Sequence, residues 1–162
     1  MSAERYLIDV LKQAGITAVA TLPCGKIKTL LDLVPTAFKE VPLTREEDGV
    51  GLCVGAYLAG VKMALVMQSS GVGNSINALM SLATLFRIPL PILVSWRGVW
   101  QEQIFAQTMM GKTLPALLDG LKLPYLEVRE ARDLEKVKEG LEECYRMKRP
   151  YVFLLSPKIW TA

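Results

Sequence analysis

The chain has 162 residues, of which 51% are hydrophobic and 22% charged, with a formal net charge of +3 at pH 7. This length fits a single domain with one sizeable core. The small, scattered positive charge argues against a nucleic-acid-binding protein, and no apolar run approaches the ~20 residues of a membrane-spanning helix.

Histidine is absent from the chain. This absence excludes Ser-His and Cys-His catalysis and histidine-ligated metal sites built from this chain alone. The three cysteines, Cys24, Cys53 and Cys144, are odd in number and widely spaced, which predicts free thiols in a reducing cytoplasm rather than a disulfide framework. The N-terminus enters an amphipathic stretch and shows no targeting segment. A mean hydropathy of +0.29 indicates an enclosed core, or apolar surface that meets a partner.

Hydrophobic periodicity predicts helices that alternate with strands along the whole chain. In chain order the predicted elements are a helix at 3–14, a strand at 17–22, a helix through Leu30 and Val34, a strand at 38–43, a helix at 44–59, a strand at 62–68, a helix at 75–85, a strand at 90–95, a helix at 113–121, a strand at 125–128, a helix at 133–147 and a strand at 151–155. No element is assigned to residues 99–110.

Several predicted strands, such as 64–67 and 91–94, are continuously apolar. Such strands, separated by helices, are typical of a parallel sheet that is covered on both faces. The sequence therefore predicts one domain, 1–162, with a three-layer α/β/α fold and a mainly parallel six-stranded sheet. Ligands of such sheets bind outside the carboxyl ends of the strands. The segments at that edge are predicted to be the loops 23–26, 44–47, 69–73 and 95–98.

The segment Thr-Arg-Glu-Glu-Asp-Gly-Val-Gly at 44–51 allows two interpretations. Thr44 and Glu47 match a capping box, and acidic side chains stabilise helix N-termini. The glycines that follow, Gly49, Gly51 and Gly55, each cost ~1 kcal/mol relative to alanine inside a helix. Their presence suggests that another backbone or a flat ligand approaches the start of this helix.

The segment Ser-Ser-Gly-Val-Gly-Asn at 69–74 follows an apolar strand and precedes a helix. It predicts either a capped strand-to-helix turn or a phosphate-binding turn. It matches neither the dinucleotide-binding fingerprint nor the P-loop pattern.

Taken together, these two segments resemble the pyrimidine-binding domain of thiamine-diphosphate enzymes. Acetohydroxyacid-synthase-like members have a Glu-x-Gly-x-Gly segment, a Gly-Tyr-Ala-like step and then Ser-Gly-x-Gly after the next strand. Here the corresponding residues lie at 47–51, 55–60 and 69–74, and Leu-Pro-Cys-Gly at 22–25 extends the match. Within the family the runs at 44–51 and 67–79 are most similar to sulfopyruvate decarboxylase alpha subunits and, next, to phosphonopyruvate decarboxylases.

The resemblance implies that Glu47 is the activating glutamate, whose carboxyl group shares a proton with a ring nitrogen of the cofactor's aminopyrimidine. Burial should raise the pKa of such a carboxyl, although a helix N-terminus lowers it. The remaining residues implied to bind the cofactor are Pro23, Cys24, Gly25, Ser70, Gly71, Gly73 and Gln107. Lys26 and Arg97 are predicted to meet an anionic substrate. Trp96 stands where related decarboxylases carry a histidine, which leaves the proton relay unassigned.

The family holds Mg²⁺ and diphosphate through a Gly-Asp-Gly motif and a later asparagine in a second domain. Gly-Asp-Gly is absent here, and Asn74 and Asn77 lie elsewhere. The resemblance therefore implies that thiamine diphosphate is shared with a beta subunit, which binds the Mg²⁺. This chain itself is expected to contribute no metal ligand. We also expect the chain to associate with copies of itself.

Three functions remain open at this point. The first is decarboxylation of 3-sulfopyruvate to sulfoacetaldehyde and CO₂, a step toward coenzyme M. The second keeps the cofactor but acts on phosphonopyruvate or another small 2-oxo acid. The third is a non-catalytic partner that uses the same domain for assembly or regulation.

Overall fold

The computed structural model describes residues 1–161, which form strands and helices that alternate along the chain. The strands are β1 (Ala18–Thr21), β2 (Lys39–Pro42), β3 (Met63–Gln68), β4 (Leu90–Ser95), β5 (Tyr125–Val128) and β6 (Pro150–Leu155). The α-helices are α1 (Ala3–Gln13), α2 (Lys28–Ala37), α3 (Glu46–Leu58), α4 (Ser69–Ala78), α5 (Phe105–Gly120) and α6 (Lys136–Met147). Helix α4 continues as a π-helix, Leu79–Thr84, and short 3-10 segments lie at Gly25–Ile27, Ala131–Glu135 and Pro157–Thr161.

The six strands form one sheet in the order β2-β1-β3-β4-β6-β5, and every neighbouring pair is parallel. Strands β4 and β6 are buried at every position, which explains their continuous apolar sequence. The prediction of a parallel six-stranded sheet is confirmed. All carboxyl ends meet at one edge, which we call the carboxyl edge.

Two hydrophobic cores lie on opposite faces of the sheet. One contains Leu7, Leu30 and Leu141 from α1, α2 and α6. The other contains Val50, Val72 and Leu114 from α3, α4 and α5. The three-layer α/β/α prediction is therefore confirmed, and α3, α4 and α5 share the face that carries most of the predicted cofactor residues.

Helix α4 differs from its prediction because it begins at Ser69, directly after the last residue of β3. The segment 69–74, predicted to be a loop, forms its first turns. Two glycines explain the misassignment. A side chain at Gly71 would lie 2.5 Å from Cγ of Glu46, and one at Gly73 would lie 3.1 Å from Cε of Met110. These glycines serve close helix packing rather than a turn.

Helix α3 begins at Glu46, two residues later than predicted, and the Thr44–Glu47 capping box does not form. The N-cap residue is Arg45, whose backbone is extended and whose side chain makes no capping hydrogen bond. Helix α5 begins at Phe105, eight residues earlier than predicted. Across residues 1–161, every helix is too short or too polar to cross a membrane.

Candidate functional site

The two glutamates that open α3 point to different environments. The Glu46 carboxylate accepts a hydrogen bond from Nδ2 of Asn74 at 3.2 Å and lies against Gly71, so it is occupied by the start of α4. The Glu47 side chain keeps 29% of its surface exposed and pairs with Arg45, whose Nε lies 2.9 Å from Oε1 of Glu47. Of these two glutamates, Glu47 is therefore the one whose carboxylate is not held by α4 and remains accessible to a ligand.

The pKa of the Glu47 carboxyl lies below its usual value. The main cause is a hydrogen bond from its own backbone N–H at the start of α3, and the second cause is the Arg45 side chain. The sequence-based expectation of a pKa raised by burial does not hold for this chain on its own. A carboxyl that shares a proton with a ring nitrogen would need a further surface to cover it.

The start of α4 is tied to the neighbouring strands through Ser69, which is fully buried. Its Oγ donates to the carbonyl oxygen of Ser95 at 3.3 Å and accepts from the backbone N–H of Arg97 at 2.9 Å. Ser70 Oγ accepts a hydrogen bond from Nε2 of Gln68 at 2.8 Å. These contacts fix Ser70 and Gly71, two predicted cofactor residues, relative to β3 and β4.

The Pro23-Cys24-Gly25 segment follows β1 at the same edge. Pro23 and Gly25 are exposed, whereas Cys24 is buried and its Sγ donates to Oγ of Ser95 at 3.3 Å. The Cys24 thiol therefore links the end of β1 to the end of β4. Lys26 is half-buried in the short 3-10 segment, and within residues 1–161 no carboxylate lies within ion-pair distance of its amino group.

Arg97, the second predicted substrate cation, occupies a different environment from Lys26. Its side chain is only 8% exposed, and its Nε and Nη2 lie 2.6 and 2.7 Å from the two carboxylate oxygens of Glu102. Sequence reasoning missed Glu102, although it is the only acidic residue between the end of β4 and Leu118. The prediction that Arg97 meets an anionic substrate stays a prediction, and in this structure the guanidinium is already paired with Glu102.

The contacts of Trp96 tie the loop after β4 to neighbouring elements. Trp96 is 1% exposed, and its Nε1 donates to the carbonyl oxygen of Gly111 in α5 at 2.8 Å. The guanidinium of Arg129 stacks on its ring at 4.5 Å from the centroid. Trp96 thus joins β4 to α5 and has no group that could relay a proton.

Helix α5 places Gln107 one turn before Met110, which contacts Gly73 of α4. The Gln107 Oε1 is buried and has no hydrogen-bond partner among the described residues. An unpartnered buried acceptor is costly unless a ligand or a partner supplies a donor. Within residues 1–161, no three Cys, Asp or Glu side chains are grouped so as to hold a metal ion.

The structure thus brings the starts of α3, α4 and α5 together on one side of the carboxyl edge. Residues 1–122 match the family described as thiamine pyrophosphate enzyme, N-terminal TPP binding domain. The solved structures of a benzoylformate decarboxylase from Polynucleobacter necessarius and of a 2-oxoglutarate:ferredoxin oxidoreductase from Magnetococcus marinus share this fold. Their TM-scores are 0.76 and 0.77, at 17% and 16% identity, and the chain covers about 30% of each.

Three curated relatives match nearly the whole chain. It is 48% identical over 162 residues to a sulfopyruvate decarboxylase from Methanosarcina acetivorans, and covers 42% of that protein's length. It is 37% and 38% identical to the sulfopyruvate decarboxylase alpha subunits of Methanococcus maripaludis and Methanocaldococcus jannaschii, and covers 98% and 96% of their lengths. Phosphonopyruvate decarboxylases are also related, at 34% identity. The chain therefore belongs to the thiamine pyrophosphate enzyme family, as an N-terminal TPP binding domain related throughout to sulfopyruvate decarboxylase alpha subunits.

Proposed function

We propose that this chain is the alpha subunit of a thiamine-diphosphate-dependent decarboxylase whose substrate is 3-sulfopyruvate. The observation that carries the proposal is Glu47. Its accessible carboxylate opens α3 at the carboxyl edge, in a chain that aligns from end to end with alpha subunits of sulfopyruvate decarboxylases. The products would be sulfoacetaldehyde and CO₂, as a step toward coenzyme M, in a cytoplasm that keeps its three thiols reduced.

The described residues fit the pyrimidine half of the cofactor. Glu47 offers a carboxylate for a ring nitrogen, and Gln107 offers a buried oxygen acceptor for an amino group. Pro23, Gly25, Ser70 and Gly71 would complete the walls of this seat. Bound thiamine diphosphate would supply the nucleophilic carbon and the electron sink for loss of CO₂. The task of Glu47 is to hold a proton at the ring nitrogen.

The diphosphate half and Mg²⁺ are assigned to a partner beta subunit, because the Gly-Asp-Gly motif is absent from this sequence. The longer relative from Methanosarcina acetivorans supports this division, since the chain spans only 42% of its length. A partner that covers the start of α3 would also remove water from Glu47 and raise the pKa of its carboxyl toward the value that proton sharing requires.

The decisive experiment compares Glu47→Gln with Glu46→Gln in the complex reconstituted with the partner subunit. Glutamine at 47 keeps a hydrogen-bonding group but cannot share the proton, so decarboxylation of 3-sulfopyruvate should fall by about a hundredfold or more. The complex should still assemble. Glu46→Gln alters only the contact with α4 and should keep most of the activity. Wild-type rates for the Glu47 variant would reject the assignment and favour a non-catalytic, assembly role.

Lys26 is proposed to bind the distal anion of the substrate. Its amino group is the loop cation that lacks a carboxylate partner among residues 1–161, whereas Arg97 is paired with Glu102. A single cation suits a sulfonate, which carries one charge at neutral pH, better than a phosphonate, which can carry two.

Lys26→Ala should lower kcat/KM for 3-sulfopyruvate by about tenfold or more, because a charge-assisted contact is lost. The kcat/KM for pyruvate, which lacks the distal anion, should change little. An equal loss of kcat/KM for both substrates would show that Lys26 does not bind the anion, and would place that contact on the partner subunit. If the wild-type complex preferred phosphonopyruvate to 3-sulfopyruvate, the function would instead be phosphonopyruvate decarboxylation.

A further inference from the structure

The Glu102 carboxylate closes the loop between β4 and α5 with four hydrogen bonds. Its Oε2 accepts from Nε of Arg97 at 2.6 Å and from the backbone N–H of Gly98 at 3.2 Å. Its Oε1 accepts from Nη2 of Arg97 at 2.7 Å and from the backbone N–H of Ile104 at 3.0 Å. The Glu102 side chain is only 5% exposed. Each carboxylate oxygen of Glu102 therefore binds both the Arg97 guanidinium and one backbone N–H, that of Gly98 at the start of the loop or that of Ile104 at its end.

The backbone of Arg97 and Gly98 is wedged between α4 and α5. On one side, the N–H of Arg97 donates to Oγ of Ser69, the first residue of α4, at 2.9 Å. On the other side, a Cβ added to Gly111 would overlap the carbonyl oxygen of Arg97, and one added to Gly98 would lie 2.5 Å from the carbonyl oxygen of Gln107. Any movement of this backbone would therefore displace both Ser69 and Gln107.

These contacts connect Glu102 to two groups assigned to the cofactor. Ser69 immediately precedes Ser70 and Gly71 at the start of α4, and Gln107 carries the unpartnered acceptor on α5. We propose that Glu102 is a positioning residue, which acts through Arg97 to set the separation between the start of α4 and Gln107. The pyrimidine ring would bind in this interval, so the inference rests on the proposed function.

A solely structural pair would affect stability but not the affinity of the folded protein for its cofactor. The geometry favours a positioning role because Glu102 bonds to the backbone on both sides of the loop, where a surface ion pair would hold side chains alone. The Lys158–Glu130 pair, at 2.9 Å and about half exposed, provides a control ion pair away from the starts of α3, α4 and α5.

The test measures the Kd of thiamine diphosphate, with Mg²⁺ present, by calorimetry on the reconstituted complex. Glu102→Gln should raise this Kd by about tenfold, because the amide nitrogen faces the guanidinium and cannot accept its hydrogen bonds. Turnover at saturating cofactor should stay within about twofold of wild type, since Glu47 is unchanged. Glu102→Asp, which keeps the charge, should recover part of the affinity. Glu130→Gln should leave the Kd at its wild-type value.

Arg97→Lys provides a second route if Glu102→Gln fails to assemble. Lysine keeps the buried charge balanced but cannot span both carboxylate oxygens with a planar fork, so the Kd should rise several-fold. A wild-type Kd in whichever of these two variants assembles would overturn the positioning role. Absence of cofactor binding by the wild-type complex would instead reject the proposed function, so the two failures are distinguishable.

Discussion

At the scale of single residues, Glu47 and Glu102 lie at the same carboxyl edge but differ in how far their carboxylates are exposed. The Glu47 carboxylate is partly open to a ligand, whereas the Glu102 carboxylate is enclosed by hydrogen-bond donors. The hydrogen bonds from Arg97 outweigh burial and lower the pKa of Glu102 from 4.5 to about 2. Glu102 therefore stays charged throughout the physiological pH range and does not exchange a proton during turnover.

This low pKa leads to a prediction for acid stability. Because the pKa of Glu102 is lowered in the folded state, its contribution is complete above about pH 4.5 and is lost as the pH falls toward 2. The difference in unfolding free energy between wild type and Glu102→Gln should therefore narrow between pH 5 and pH 3, as measured by urea titration of the isolated chain. A constant difference over that range would show that Glu102 has an ordinary pKa.

At the scale of elements, the hydrophobic pattern of the sequence was sufficient to predict the strands of the sheet and the helices that cover it. Strands such as β3 and β4 were predicted to within a residue because their apolar runs are set by burial on both faces. The start of α4 was missed because serine, glycine and asparagine have low helix propensity, whereas packing of α4 against Glu46 and Met110 favours the helix. Tertiary contacts are not visible in a single sequence.

At the candidate site too, local sequence motifs could be recognised, whereas contacts between distant residues could not. Glu47 could be singled out from a local motif. The pairing of Arg97 with Glu102 could not, because both the loop between β4 and α5 and the early start of α5 depend on close contacts at Gly98 and Gly111. The one available signal was a single acidic residue, Glu102, in the same connection as a single basic residue, Arg97.

At the scale of the whole molecule, the helices beside the candidate site expose apolar surface. Along α3, nothing lies within 4 Å of where a side chain would extend from Gly51 or Gly55, and Leu52 is 37% exposed. At the start of α5, Phe105 and Met109 are 83% and 66% exposed. Exposed apolar side chains on the helices beside a candidate site favour association with another subunit.

We therefore expect the isolated chain to fold and self-associate, and to be inactive as a decarboxylase when supplied with thiamine diphosphate and Mg²⁺. Sedimentation velocity should show species larger than the 17.9 kDa monomer, and addition of the beta subunit should replace them with a defined, active complex. Turnover by the rigorously purified chain would disprove the division of the cofactor site between two subunits.

The direct junction between β3 and α4 has a consequence for how this domain can vary. Gln68 ends the strand and also caps the helix, so the chain has no connecting residues to lengthen or shorten at that point. The connection from β4 to α5 has nine residues between Ser95 and Phe105. Insertions and deletions during evolution should therefore be excluded from the first junction. In the second they should be confined to residues 99–101, which lie between the contacts of Gly98 and those of Glu102. Variation in length would then change only the surface beyond these contacts, while the start of α4 keeps its position relative to β4.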